Sequence, residues 1–224
     1  MINVLIGDIF ESHAQTLVNT VNCVGVMGKG IALEFKKRFP DMHSEYAQLC
    51  KAGKVKLGRP YIYRRTAPPW ILNFPTKDHW RSVSRLRDIV AGLEYLKRHC
   101  HEWGITSLAV PPLGCGHGGL EWRVVGPTLY RYLATLNVPV DMYAPFGTPH
   151  EELKPTFLEQ GGSKTNGSQT STRYKVQPAW IAVVEILHDI EEQPYHPPIG
   201  RTTFQKIAYF ATESGIDTGL HYTR

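Results

Sequence analysis

Short apolar segments alternate with longer amphipathic segments through the first 158 residues, and this alternation constrains the fold more than any other feature. Such a pattern favours strands joined by crossover helices, so we predict a three-layer α/β/α domain with a mixed central sheet. Pro127 argues against continuity of the last helix. The predicted strands are Asn3–Gly7, Thr16–Val21, Tyr61–Tyr63, Trp70–Phe74, Ser107–Val110 and Val138–Ala144, and the predicted helices are Gly30–Arg38, Met42–Ala52, Val83–Trp103 and Trp122–Leu136.

The composition changes sharply after this domain. Residues 160–172 read Q-G-G-S-K-T-N-G-S-Q-T-S-T, which is typical of a flexible linker, although an ordered surface loop can have the same composition. We therefore predict a domain over residues 1–158, a linker over 159–172 and a helical region over 173–224. Its two expected helices, Pro178–Glu192 and Thr203–Ser214, bury little surface, so we expect the start of a domain that has been cut short.

Positive charge is concentrated in the first domain. Residues 1–158 carry a net charge of +6, whereas residues 159–224 carry −1. A basic domain favours an anionic partner such as a nucleotide or nucleic acid, although a solvated basic surface has the same composition. The four cysteines form no C-x-x-C pair, and no apolar run approaches the ~18 residues of a membrane span. We expect a cytoplasmic protein without a membrane segment, zinc ribbon or disulfide scaffold.

Two glycine-rich segments each follow a predicted strand and precede a predicted helix. Loops of this kind on neighbouring strands form a crevice in which backbone N–H groups bind phosphate. The first segment is neither a P-loop nor the dinucleotide fingerprint. Asn19 and Asn22 lie beside the first segment, where amides can bind ribose hydroxyls. The glycines are Gly25, Gly28 and Gly30 in the first segment and Gly114, Gly116, Gly118 and Gly119 in the second.

Three further features have two interpretations each. Asp8, after the first strand, can accept a hydrogen bond from an adenine amino group or can cap a helix. The segment N-F-P-T-K-D-H-W-R from Asn73 suits nucleobase stacking and phosphate binding, or is a polar turn with Trp80 packed inward. Cys115 and His117 suggest a nucleophilic pair, but we favour small residues in an anion-binding loop.

Three motifs together resemble the macro domain family over roughly residues 1–157. They are G-D-I from Gly7, N-x-x-N-C-x-G-x-M-G-K-G-I-A from Asn19 and P-x-x-G-C-G from Pro111. The resemblance is strongest to the branch of terminal ADP-ribose glycohydrolases and DarG antitoxins. It implies an enzyme that removes ADP-ribose from bases of single-stranded DNA and so reverses a DarT-type toxin. Two alternatives are an ADP-ribose-binding module and an antitoxin that binds the toxin directly, through the C-terminal region.

The resemblance also implies roles for single residues, without any cofactor or metal. Lys77 matches a lysine that attacks or polarises the anomeric carbon. The acidic residue that follows G-C-G by two positions in terminal ADP-ribose glycohydrolase is replaced here by Gly118. The implied contacts are Asp8 and Ile9 for adenine; Asn22, Gly25, Val26, Met27, Gly28 and Gly30 for the distal ribose; Leu113, Gly114, Cys115, Gly116, His117, Gly118 and Gly119 for the diphosphate; and His79, Trp80 and Arg81 for DNA.

Overall fold

The computed structural model describes residues 1–161, 178–191 and 201–216. The chain divides into two compact units, Met1–Gly167 and Ser168–Arg224. Residues 162–172 of the predicted linker lie outside the described ranges. The three predicted domain ranges therefore stay a prediction.

A six-stranded mixed sheet forms the centre of the first unit. Its strands are β1 (Ile2–Leu5), β2 (Thr16–Asn22), β3 (Tyr61–Tyr63), β4 (Trp70–Lys77), β5 (Leu108–Val110) and β6 (Val140–Tyr143). The order is β1-β6-β5-β2-β4-β3, and each neighbouring pair is parallel except β3–β4. The sequence-based prediction of a mixed sheet is confirmed.

Helices cover both faces of this sheet. They are α1 (Gly30–Arg38), α2 (Pro40–Lys51), α3 (Leu86–His99), α4 (Trp122–Leu133) and α5 (Pro155–Gln160). Phe35 of α1 and Tyr46 of α2 are buried in one core, whereas Leu93, Val125 and Leu158 of the other three helices are buried in a second core. Residues adjacent along a strand point to opposite faces, so the two cores lie on opposite sides of the sheet. The three-layer prediction is confirmed.

The predicted start of the third helix at Val83 is wrong. Arg85 is extended, with φ −116° and ψ 134°, and α3 begins only at Leu86. The backbone just before α3 is bonded to a distant part of the chain, because the N–H of Ser84 donates to the carbonyl of Gly118 at 2.9 Å. A sequence pattern does not show such a contact between distant loops.

α3 also ends at His99, four residues before the predicted Trp103. Other bounds differ by three residues at most, and three short helices were not predicted. α4 runs through Pro127 without a break, contrary to our reservation, and ends three residues earlier than expected. β4 extends three residues beyond Phe74, so that Lys77 is the last residue of the strand. The unpredicted helices are α5 and two 3-10 helices, Ile9–Glu11 and His150–Leu153.

The second unit contains two helices, α6 (Pro178–Glu191) and α7 (Arg201–Glu213). Both lie within one or two residues of their predicted bounds. Val183 of α6 and Ala208 of α7 are buried. Within the three described ranges, every helix is too short or too polar to cross a membrane.

Gly92 marks a close approach between α3 and β4, and its replacement tests the packing. A Cβ atom there would overlap Cζ of Phe74, whose ring is buried. We expect Gly92→Ala to lower the free energy of unfolding by ~1–3 kcal/mol, because overpacking outweighs the better helix propensity of alanine. Urea denaturation measures the change. A second substitution, Phe74→Leu, should recover part of the loss, and a Gly92→Ala protein as stable as wild type contradicts the prediction.

Candidate functional site

Three loops meet where parallel strands end. β2, β4 and β5 are parallel, so the loops after them leave from one edge of the sheet. We call residues 23–30 the first glycine loop, residues 78–85 the middle loop and residues 111–120 the second glycine loop. Asp8 follows β1 at the same edge, because β1 and β5 are each parallel to β6.

The side chain of Asn22 shapes the first glycine loop. Its Oδ1 accepts hydrogen bonds from the N–H groups of Val24 at 3.0 Å and Val26 at 3.3 Å, and its Nδ2 donates to the carbonyl of Val26 at 2.6 Å. The buried hydroxyl of Tyr46 donates to the carbonyl of Asn22 at 2.8 Å. The amide therefore fixes the loop backbone, and a direct contact between Asn22 and ribose stays a prediction.

Gly25 lets the first glycine loop pass close to α2. It has φ +86°, and a Cβ atom there would lie 3.5 Å from the Cα of Ala47 and from the Cβ of Cys50. A side chain is disfavoured at this φ. The side chains of Val24 and Val26 remain exposed at the crevice.

The second glycine loop presents unpaired backbone donors. The N–H of Leu120 donates to the carbonyl of Gly114 at 3.0 Å, which closes the loop on itself. Among the described residues, the N–H groups of Gly116, His117 and Gly118 have no hydrogen-bond acceptor. Three successive free N–H groups form a concave site of the kind that binds phosphate oxygens.

Lys77 joins the two glycine loops. It lies beside Asn22 in the register of β2 and β4, and its Nζ donates to the carbonyl of His117 at 2.8 Å. The imidazole of His117 reaches across to the first glycine loop, with Cδ2 3.6 Å from the Cβ position of Gly30. Burial lowers the pKa of Lys77, which increases the fraction of neutral, nucleophilic amine at a given pH.

The middle loop is fixed at both ends. The carbonyl of Asp78 accepts from the N–H of Cys23 at 3.1 Å, and Ser84 is bonded to Gly118 as described above. Between these points Trp80 is 46% exposed, which excludes the alternative in which it packs inward. The guanidinium of Arg81 lies 4.5 Å from the centroid of the indole, and the ring of His79 lies 5.3 Å from it.

Comparison with known proteins identifies the family. The family model of the Macro domain matches residues 18–129, half of the chain. The chain belongs to the macro domain family.

Three similar proteins extend this finding. A DNA ADP-ribosyl glycohydrolase from Thermus aquaticus is 37% identical, with 99% of this chain and 59% of that protein covered. The structure of Thermosipho africanus DarTG in complex with ADP-ribose is 43% identical, with a TM-score of 0.66 and coverage of 70% of this chain and 45% of that one. The macrodomain of Mycobacterium tuberculosis DarG is 47% identical, with a TM-score of 0.62 and coverage of 65% of this chain and 98% of that one. This chain therefore spans about three fifths of the first relative and less than half of the second.

Three of the predicted ligand contacts in this macro domain have buried apolar side chains. Ile9, Met27 and Leu113 all face the core. They anchor the loops that carry them, so we expect a ligand to contact their backbone groups rather than their side chains. Sequence reasoning missed this because the motifs show which residues lie in the loops but not which way they point.

Two residues follow strands at the same edge of the sheet as the glycine loops, Asp8 after β1 and Phe146 after β6. Asp8 caps the 3-10 helix, since its Oδ1 accepts from the N–H of Phe10 at 3.0 Å, and its side chain is exposed. Phe146 was not predicted, although it lies three residues beyond β6 and is 83% exposed. An aromatic residue directly before a glycine at a strand end was the available signal.

Cys115 does not form a nucleophilic pair with His117. Burial raises the pKa of Cys115 to about 12, so almost no thiolate exists at neutral pH. The preferred interpretation, a small residue in an anion-binding loop, agrees with the structure. Within the described ranges, no three His, Cys, Asp or Glu side chains converge as a metal site.

Gly118 has no room for a side chain, which explains the missing acidic residue. A Cβ atom there would overlap Oγ of Ser84 and the carbonyl oxygen of Gly114, whereas a Cβ atom at Gly116 meets nothing within 4 Å. We expect Gly118→Ala to lower the free energy of unfolding by ~1–3 kcal/mol, as overpacking does, and Gly116→Ala to leave it within ~0.5 kcal/mol. Thermal and urea unfolding of the matched pair test this, and equal effects at the two positions contradict it.

Proposed function

We propose that this chain is a DNA ADP-ribosyl glycohydrolase that removes ADP-ribose from bases of single-stranded DNA in the bacterial cytoplasm. The observation that carries the proposal is the half-buried side chain of Lys77, whose amine lies between the two glycine loops. Similarity to a named DNA ADP-ribosyl glycohydrolase over 99% of this chain supports the same conclusion. We assign the activity, substrate and partners of the longer relatives to this chain only as part of this proposal.

The crevice suits ADP-ribose along its whole length. The free N–H groups of Gly116, His117 and Gly118 receive the diphosphate, and the first glycine loop receives the distal ribose. Asp8 receives the adenine amino group, and the exposed ring of Phe146 stacks on the adenine. This arrangement orients the anomeric carbon of the distal ribose toward Lys77.

Lys77 has one of two roles in the proposed reaction. As a nucleophile, Nζ forms a bond to the anomeric carbon while the glycosidic C–N bond breaks, and the electron pair leaves with the base. The amine then loses a proton, and water hydrolyses the adduct to free ADP-ribose and lysine. In the other role, the positive charge of protonated Lys77 stabilises the departing base while water attacks the carbon and gives up a proton to solvent. Neither route requires a metal or cofactor.

Two observations bear on the alternatives. A module that only binds ADP-ribose needs the two glycine loops but no desolvated amine, so Lys77 favours an enzyme. Similarity to the glycohydrolase from Thermus aquaticus covers 99% of this chain and so extends through the second unit, which supports a shared use for that region. We propose that residues 173–224 contact a DarT-type toxin, so that the same chain reverses the modification and binds the toxin.

Replacement of Lys77 separates the two roles. We expect Lys77→Ala to lower the single-turnover rate on ADP-ribosylated single-stranded DNA at least ~100-fold, with little change in affinity for free ADP-ribose. Lys77→Arg keeps the charge but stays protonated, so it should be nearly as inactive if the amine attacks and substantially active if only charge is needed.

The pH dependence gives an independent check. Because the pKa of Lys77 is lowered, a nucleophilic amine predicts a rate that rises with pH and levels off above that pKa, below the pH expected for an ordinary lysine. A required ammonium predicts a rate that falls as pH rises through the same pKa. If Lys77→Ala and Lys77→Arg both hydrolyse the substrate at the wild-type rate, Lys77 is not catalytic.

Gly116 tests the binding mode without disturbing the fold. We expect Gly116→Val to weaken ADP-ribose binding at least ~10-fold, because a branched side chain shields the N–H groups that receive the diphosphate, a loss of about 1.4 kcal/mol. Isothermal titration calorimetry measures the affinity, circular dichroism confirms the fold, and Gly116→Ala is the smaller control. A folded Gly116→Val protein with unchanged affinity contradicts the prediction.

A further inference from the structure

Three arginines lie close together in the sequence, from the residue after Trp80 to the first turn of α3. Arg81, Arg85 and Arg87 all have exposed side chains. Residues 77–88 contain four Lys and Arg residues against two Asp residues. The middle loop carries Arg81 and Arg85 and is bonded to both glycine loops, and Arg87 follows in the first turn of α3.

Arg85 and Arg87 occupy an electrostatically unfavourable place. Arg85 is the N-cap residue of α3 and makes no capping hydrogen bond through its side chain. The N-terminus of a helix carries partial positive charge, which disfavours cations and favours Asp or Ser as the cap. A sequence selected only for stability would not have arginines at the N-terminus of this helix. Residues that lower the stability of the fold are a common sign of a binding role.

Their side chains are also uncommitted within the described part of the chain. Arg85 forms no ion pair there, and Nε of Arg87 lies 3.9 Å from Oδ1 of Asp88, too far for a hydrogen bond, with its side chain 74% exposed. Hydrogen bonds from Ser82 and from the N–H of His79, at 2.7 Å, lower the pKa of the Asp78 carboxyl, and the charge of Arg85 adds to this without forming an ion pair. Both guanidinium groups are therefore available to an external anion.

We infer that Arg85 and Arg87 bind backbone phosphates of the DNA strand that carries the modified base. The inference rests on the proposed function, since it takes single-stranded DNA as the substrate. Guanidinium groups bind phosphate through two parallel hydrogen bonds, and an aromatic platform beside a basic surface is the usual arrangement for single strands. The strand leaves the crevice past the Trp80–Arg81 stack and crosses the first turn of α3.

The test compares two double variants of the full chain. Arg85→Gln/Arg87→Gln removes the proposed contacts, and Lys97→Gln/Arg131→Gln removes the same charge from the last turns of α3 and α4, at the opposite ends of these helices. Binding of an unmodified fluorescent oligonucleotide is measured from 50 to 300 mM salt, and glycohydrolase kinetics are measured on ADP-ribosylated oligonucleotide. Affinity for free ADP-ribose and thermal stability are measured in parallel.

We expect the slope of log K against log salt to fall in magnitude by ~1.4 for Arg85→Gln/Arg87→Gln, about 0.7 for each lost phosphate contact. KM for the modified oligonucleotide should rise severalfold, with kcat, ADP-ribose affinity and the fold retained and Tm unchanged or higher. The control should keep the wild-type salt slope.

A salt slope that is unchanged, or that falls equally in the control, overturns the inference. If wild-type protein releases no ADP-ribose, the proposed function is wrong, but the binding data still decide whether this surface contacts DNA. If kcat falls while the salt slope stays the same, the arginines act on the site and not on phosphates, which also overturns the inference.

Discussion

Two backbone hydrogen bonds hold the crevice together. One joins Cys23 to Asp78 and the other joins Ser84 to Gly118, so the middle loop is attached to both glycine loops. Because backbone groups form both bonds, the connection does not depend on particular side chains. These two bonds set the spacing between the two glycine loops. They also set the positions of the residues on the middle loop.

The site is largely organised before a ligand arrives. The amide of Asn22 fixes the backbone of residues 24–26, and Tyr46 holds Asn22 from the core. On the other side, Lys77 holds the carbonyl of His117. A ligand that binds preformed loops loses less free energy to ordering them. The bond from Lys77 must break when the amine reacts, so ligand binding and release of the amine are coupled in the proposed mechanism.

The sequence predicted the architecture well because periodicity reports which side of a helix or strand is buried. The strand Tyr61–Tyr63 and the helix Gly30–Arg38 match their predicted bounds. The motifs also brought the two glycine loops and Lys77 together correctly. What the sequence could not supply was orientation within the loops: Met27 and Leu113 face the core. The start of α3 was missed for a similar reason, since it depends on a contact with Gly118, far away in the chain.

Gly118 shows how packing constrains chemistry. The position that carries an acidic residue in terminal ADP-ribose glycohydrolase is filled here by the side chain of Ser84 and the carbonyl of Gly114, so an acidic side chain does not fit. A reaction without a second acid requires a leaving group that departs readily. A nucleobase that leaves through a ring nitrogen spreads its negative charge over the ring and the attached carbonyl groups, and it therefore needs less help from a proton donor. Closing the second glycine loop onto the middle loop therefore removes this acid from the proposed reaction.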